Sequence, residues 1–258
     1  MKATALLFLP LGFFLTTVAA QNQTAPADPK VAATQQALQP NQQAFLNLPE
    51  ESRKAFVKHL GEAFRIFQQK RVFETLNELD KASAIFKDSP EIYNLRGSCY
   101  VEIRSFDKAL AEFKKAIALS KDNPSILFNI AEVYFVTKEW QKAVDGFETA
   151  LKLMPPNDLT FGRLTEFKIL LGKKKLGKKD EVAALSEKHD ALDDSPYYYF
   201  SKAIIAYDNK DRAKAEEWLA MAGRIFQNPP GTLAPWQDTL IEYGYIKSFY
   251  GADAEEEE

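Results

Sequence analysis

The sequence predicts an all-α protein built as a helical solenoid, and three observations carry that prediction. Two stretches superimpose at an offset of 34 residues: Tyr100 recurs as Tyr134, Ala109 as Ala143, Phe113 as Phe147 and Ala116 as Ala150, while Phe106 is answered by Trp140 and Pro90 by Pro124. A period of that length marks stacked helical units. No stretch alternates apolar and polar residues as a half-buried strand would, and the polar runs carry mixed charges, as on solvated helix faces. Several segments open on a capping residue beside a proline: Asp88-Ser89-Pro90-Glu91, Asn123-Pro124-Ser125 and Ser195-Pro196. Proline suits a first helical turn because its missing N–H would have had no intrahelical partner.

Taken in order, the chain opens on a stretch with the pattern of an export signal. Lys2 is followed by the apolar run Ala5–Leu15, and Val18 and Ala20 occupy the small-residue positions of a cleavage site before Gln21. The competing reading is a retained membrane anchor, which Pro10 opposes by interrupting the run. No cysteine directly follows the apolar run, so a lipid anchor at a new N-terminus is not expected. Residues 21–48, rich in Gln, Ala, Pro and Asn, read as a flexible linker. Helices are expected to begin near Glu51, Phe73, Pro90, Phe106, Pro124, Trp140, Leu159, Asp180, Pro196, Asp211 and Trp236. The repeat domain spans 49–250, and residues 251–258 form an acidic tail.

A 46% hydrophobic and 12% aromatic composition is ample for a core in 258 residues. The formal charge of −3 argues against a nucleic-acid binder, which is normally basic. Cys99 is the one cysteine in the chain, so stability rests on packing and not on an internal disulfide. It reads as a small buried side chain.

On these residues the chain resembles the tetratricopeptide repeat (TPR) family. That family's pattern runs aromatic-x-x-Leu-Gly-x-x-Tyr, then Ala-x-x-x-Phe, then Ala and often Pro. Residues 90–123 supply Tyr93, Arg96, Gly97, Tyr100, Ala109, Phe113 and Ala116; residues 124–157 supply Leu127, Ile130, Ala131, Tyr134, Ala143, Phe147, Ala150 and Pro155. Residues 196–229 keep Tyr199, Ala203, Ala215, Leu219 and Ala222. Residues 56–89 are a degenerate unit with His59 and Thr75 in place of an aromatic and an alanine, and 158–195 form a longer pair. The resemblance implies a right-handed superhelical solenoid of antiparallel helix pairs, about five units long, with a C-terminal capping helix on its last face. Gly97, Ala131 and Ala203 would face Ala109, Ala143 and Ala215 where paired helices cross.

The resemblance also implies a concave groove lined by the first helix of each unit. Its positions carry over to Glu91, Asn94, Ser98, Val101 and Glu102, then Phe128, Asn129, Glu132 and Phe135, then Tyr197, Phe200, Ile204 and Tyr207. In the run Tyr197–Phe200 at least one aromatic must point outward, because four consecutive residues cannot share one helix face. The carboxylate clamp of some TPR domains is not expected. Asn129 and Arg163 fit two of its places, but Asn94, Ser98 and Leu159 do not fit the others.

Catalytic signatures are missing. His59 and His189 fall in different units, and no Cys/His spacing suits zinc or haem. Gly172-Lys-Lys-Lys-Leu-Gly177-Lys178 imitates a phosphate loop, but Lys179 stands where a hydroxyl is needed and no strand precedes it. The segment reads as a solvated turn, or as an anion-binding patch of Lys173, Lys174, Lys175, Lys178 and Lys179. The expectation is therefore a non-enzymatic scaffold, without cofactor or metal, exported to a bacterial periplasm or envelope. It would bind a partner peptide or helix in its groove. A self-associating envelope component using the solenoid's end faces is the competing reading, and an enzyme or solute-binding protein is a third.

Overall fold

The computed structural model describes residues 38–246. Among them all regular structure is helical: α1 (Pro40–Leu46), α2 (Glu50–Gln68), α3 (Val72–Ile85), α4 (Pro90–Glu102), α5 (Phe106–Leu119), α6 (Pro124–Val136), α7 (Trp140–Leu153), α8 (Phe161–Lys175), α9 (Lys179–Ser186), α10 (Tyr197–Asp208), α11 (Arg212–Ile225) and α12 (Ala234–Tyr243). Helices α2/α3, α4/α5, α6/α7, α8/α9 and α10/α11 pack as five pairs. The second helix of each of the first three pairs abuts the first helix of the next. Most expected helix starts fall within two residues of the observed ones. The signal stretch 1–20 and the acidic tail 251–258 lie outside the described residues.

Small residues set the pair spacing. Ala109, Ala143, Ala215, Ala116, Ala150 and Ala222 are all fully buried. The nearest neighbour of Gly97 is Phe113: a Cβ built on Gly97 would lie 2.4 Å from Cε1 of that ring. Ala131 likewise faces Gly146, whose added Cβ would come within 2.9 Å of the alanine methyl. The seam thus alternates a ring in a glycine hollow with a methyl against a glycine, which keeps the axes close.

The turns inside the pairs repeat one geometry. Lys70, Arg104, Lys138 and Lys210 adopt left-handed backbone with φ of 61°, 57°, 64° and 60°, and Gly177 does so at 73°. The residue after each donates its N–H five residues back: Arg71 to Ile66 O, Ser105 to Tyr100 O, Glu139 to Tyr134 O, Lys178 to Lys173 O and Asp211 to Ala206 O. These bonds satisfy carbonyls that a helix end would otherwise leave unpaired. At the expected caps, Asn123 accepts from Ser125 N and Ile126 N. Ser195 Oγ accepts from Tyr197 N. Ser89 instead donates to Glu91 Oε2 at 2.5 Å.

One terminal segment differs from expectation. Helix α1 lies inside the stretch read as flexible linker. Phe45 docks it, with ring centroids 5.1 Å from Phe56 and 5.4 Å from Phe86; one aromatic in a polar stretch supplied the anchor. At the other end, the expected capping helix is α12, which covers apolar side chains of α8 and of α10 in the last pair. It turns back through residues 226–233 and packs against α8.

Candidate partner-binding site

The first helices α2, α4, α6, α8 and α10 form one face of the solenoid, and α12 lies across its C-terminal half. Trp236 inserts between Phe167 of α8 and Phe200 of α10, with ring centroids 5.3 and 5.4 Å away. Leu240 is fully buried beneath it. Tyr243 reaches Trp140 at 6.1 Å and sits under Lys175 Nζ at 4.1 Å. Tyr245 stacks on Tyr207 at 5.4 Å and donates its hydroxyl proton to Asp208 Oδ1. The helix ends at Gly244, whose φ of 98° no other residue adopts comfortably.

One buried ionic cluster fastens this docking. Lys168 of α8 is 2% exposed, and its Nζ lies 2.8 Å from Glu132 Oε1 of α6 and 3.5 Å from Glu242 Oε2 of α12. The ammonium also stands 4.9 Å from the Phe135 ring centroid. Burial opposes the charge on Lys168, but the two carboxylates hold its pKa above the ordinary lysine value. Two carboxylates share one cation. Burial first, with Glu132 and Asp238 adding repulsion, pushes Glu242 up to about 8 against the pull of Lys168.

This arrangement corrects the groove reading. Asn94, Ser98, Val101, Phe128, Asn129, Glu132, Phe135, Tyr197, Phe200 and Ile204 are all buried. The reason is geometric: neighbouring first helices close over α4 and α6, and α12 covers α8 and α10. Asn129 Nδ2 donates to Asn94 Oδ1 at 3.0 Å, so both amides are used internally. Phe128 packs on Phe147 and Phe161, and Tyr197 donates its hydroxyl proton to Leu185 O. Glu102 pairs with Lys70 at 2.5 Å. Glu91 and Tyr207 keep partial exposure, and in the aromatic run it is Tyr198, resting on Trp218, that stays half-buried. Missed at the sequence level were Lys168 and Glu242. A lysine inside the apolar run of α8 was the available signal.

The lysine patch is largely neutralised within the fold. Lys173 pairs with Glu148 and Glu181, Lys174 with Asp208 and Lys178 with Glu181, while Lys175 covers Trp140 and Tyr243. Lys175 and Lys179 are the exposed members of the five, and neither has an ion pair among the described residues. Arg163 is committed to Asp193, and Glu166 to Lys188 and His189, a cluster that pins residues 187–196 to α8. The described residues hold no group of His, Cys, Asp and Glu arranged for a metal. No helix among them is long and apolar enough to cross a membrane.

A family profile described as TPR repeat matches residues 97–138, which span the end of α4, all of α5 and all of α6. Those residues match the TPR repeat, and the fold of the described residues is a TPR-like helical solenoid. Its backbone superimposes on PilF of Pseudomonas aeruginosa with a TM-score of 0.56 at 15% identity, over 74% of this chain and 85% of that one. Other similar structures are YrrB, described as a TPR protein with an unusual peptide-binding site (TM-score 0.48, 21% identity, 74% and 95% coverage), and MamA (0.49, 16%, 67% and 92%). No curated protein sequence matches the chain. TPR proteins as a class are protein-interaction scaffolds.

Proposed function

We propose that this protein is a non-enzymatic interaction scaffold of the bacterial envelope that grips a helical partner segment on its concave face, over α6, α8 and α10. The supporting observation is α12 itself. An amphipathic helix already lies there, anchored by an aromatic at 236, a leucine at 240 and a carboxylate at 242. Helix-in-groove recognition uses such anchors at helical spacing. A partner segment of similar pattern competes with α12, whose ten residues are too few for a stable isolated helix. The export pattern at 1–20 supports the envelope location.

Fluorescence anisotropy of a labelled peptide spanning 232–246 tests the reading. Wild-type protein, with its face filled, should bind the peptide weakly; the Trp236→Ala variant should bind it at least tenfold more tightly. Equal weak binding by both proteins, with folding intact, rejects the site. Light scattering on the same samples reports exchange of α12 between two copies, the route by which this face would support self-association.

A further inference from the structure

Successive turns within the helix pairs lie side by side, as the contacts of Lys70 with Glu102, Lys175 with Trp140 and Lys174 with Asp208 show. Four of the five place a lysine or arginine in left-handed backbone, at Lys70, Arg104, Lys138 and Lys210; Gly177 fills the fifth. That conformation favours glycine or asparagine and disfavours long side chains. The same chemistry is thus set four times against the backbone's preference, and all four residues are exposed. Lys70 has a structural partner in Glu102. Arg104, Lys138 and Lys210 have no carboxylate within ion-pair distance among the described residues, nor do the exposed Lys108 and Lys179 beside the same turns. The row of turns also carries acids. Glu74, Glu139, Glu181 and Asp208 are already paired, with Arg71, Lys142, Lys173 and Lys174 respectively. Asp107, Asp180 and Asp211 have no ion pair among the described residues, three acids against the five cations Arg104, Lys108, Lys138, Lys179 and Lys210. Phe73 and Ile103, 71% and 40% exposed, stand next to these turns.

We infer that this row of turns is an electrostatic docking surface for an anionic phospholipid bilayer. Cations presented singly at successive turn tips, on long stems and spaced along a line, meet a planar layer of anionic headgroups simultaneously. The exposed Phe73 and Ile103 suit the boundary between headgroup and acyl chain. No cleft or convergent set of donors marks the row for one acidic peptide. Arg104, Lys138, Lys210, Phe73 and Ile103, which carry the inference, are not among the residues proposed to grip a partner.

The test is co-sedimentation of the full chain with equimolar phosphatidylglycerol/phosphatidylcholine vesicles, with pure phosphatidylcholine as control. The decisive variant carries R104G, K138G and K210G together. Each change removes a cation that holds no ion pair and supplies the residue the backbone prefers, so its melting temperature should equal or exceed the wild type's. Wild type should sediment with anionic vesicles only, and release at about 1 M salt, where the screening length falls to about 3 Å. At about fivefold per cation, the triple variant should bind roughly 100-fold more weakly. Undiminished binding by that variant, or no vesicle binding by wild type, overturns the inference. Capture on polyglutamate beads without vesicle binding overturns it in favour of an acidic protein partner.

Discussion

The edge of the Phe113 ring fills the hollow left by Gly97: a β-carbon at 97 would stand 2.4 Å from Cε1 and 2.8 Å from Cζ. Phe113 is fully buried and has no free volume to retreat into. Gly97→Leu should therefore cost about 1–3 kcal/mol by overpacking. Thermal unfolding of the variant checks this; an unchanged melting temperature would show that the α4/α5 seam is not closed as described.

Lys168 is the one cation between Glu132 and Glu242. Lys168→Met should destabilise the protein by about 3–5 kcal/mol, because it leaves two carboxylates facing each other in a buried site. Adding Glu132→Gln and Glu242→Gln should recover much of that loss. Denaturant titrations of the single and triple variants read both outcomes, and a loss below about 1 kcal/mol in the single variant would remove the cluster from the account.

Glu242 links the docking of α12 to pH. Its pKa is about 8 when docked, against 4.5 for a solvated glutamate, so the docked state holds the proton more tightly. The stabilisation is fully present below 4.5 and is lost as pH rises through 8. Within that window docking should weaken by at most about 1.4 kcal/mol per pH unit. Limited proteolysis of the exposed 227–231 loop should accelerate across the window, and Glu242→Gln should flatten the dependence. Acceleration towards acid pH instead would reverse the assigned sign.

Cys99 lies in the α2–α4 core, and burial, aided by the Glu102 charge, pushes its thiol up to about 12. The native protein should react with a thiol reagent at least 100-fold more slowly than the denatured chain, because neither access nor thiolate is available. Fast labelling at neutral pH would show that this core opens readily.

The repeat was legible because its seams are local. Gly97, Ala109, Ala143 and Ala150 recur at fixed spacing, and the packing they permit is set by neighbours in the chain. The site was not legible for the opposite reason. Phe128, Phe135 and Phe200 occupy groove positions in the repeat pattern, but their burial depends on how tightly first helices abut and on α12 returning from the end of the chain. Contacts such as Lys168 to Glu242 join residues 74 positions apart, and no period announces them. Helix α1 escaped notice because a single residue, Phe45, anchors a segment otherwise composed like a linker.

Residence of α12 on α8 and α10 underlies this account, and hydrogen exchange resolved by peptide tests it most directly. In the full chain at pH 6, amides of 236–243 should be protected to a degree comparable with those of α10, and Trp236→Ala should release α12 while α6 and α7 stay protected. Exchange of 236–243 at the rate of an unstructured peptide in the wild type would mean that the face stands open and that α12 does not hold it.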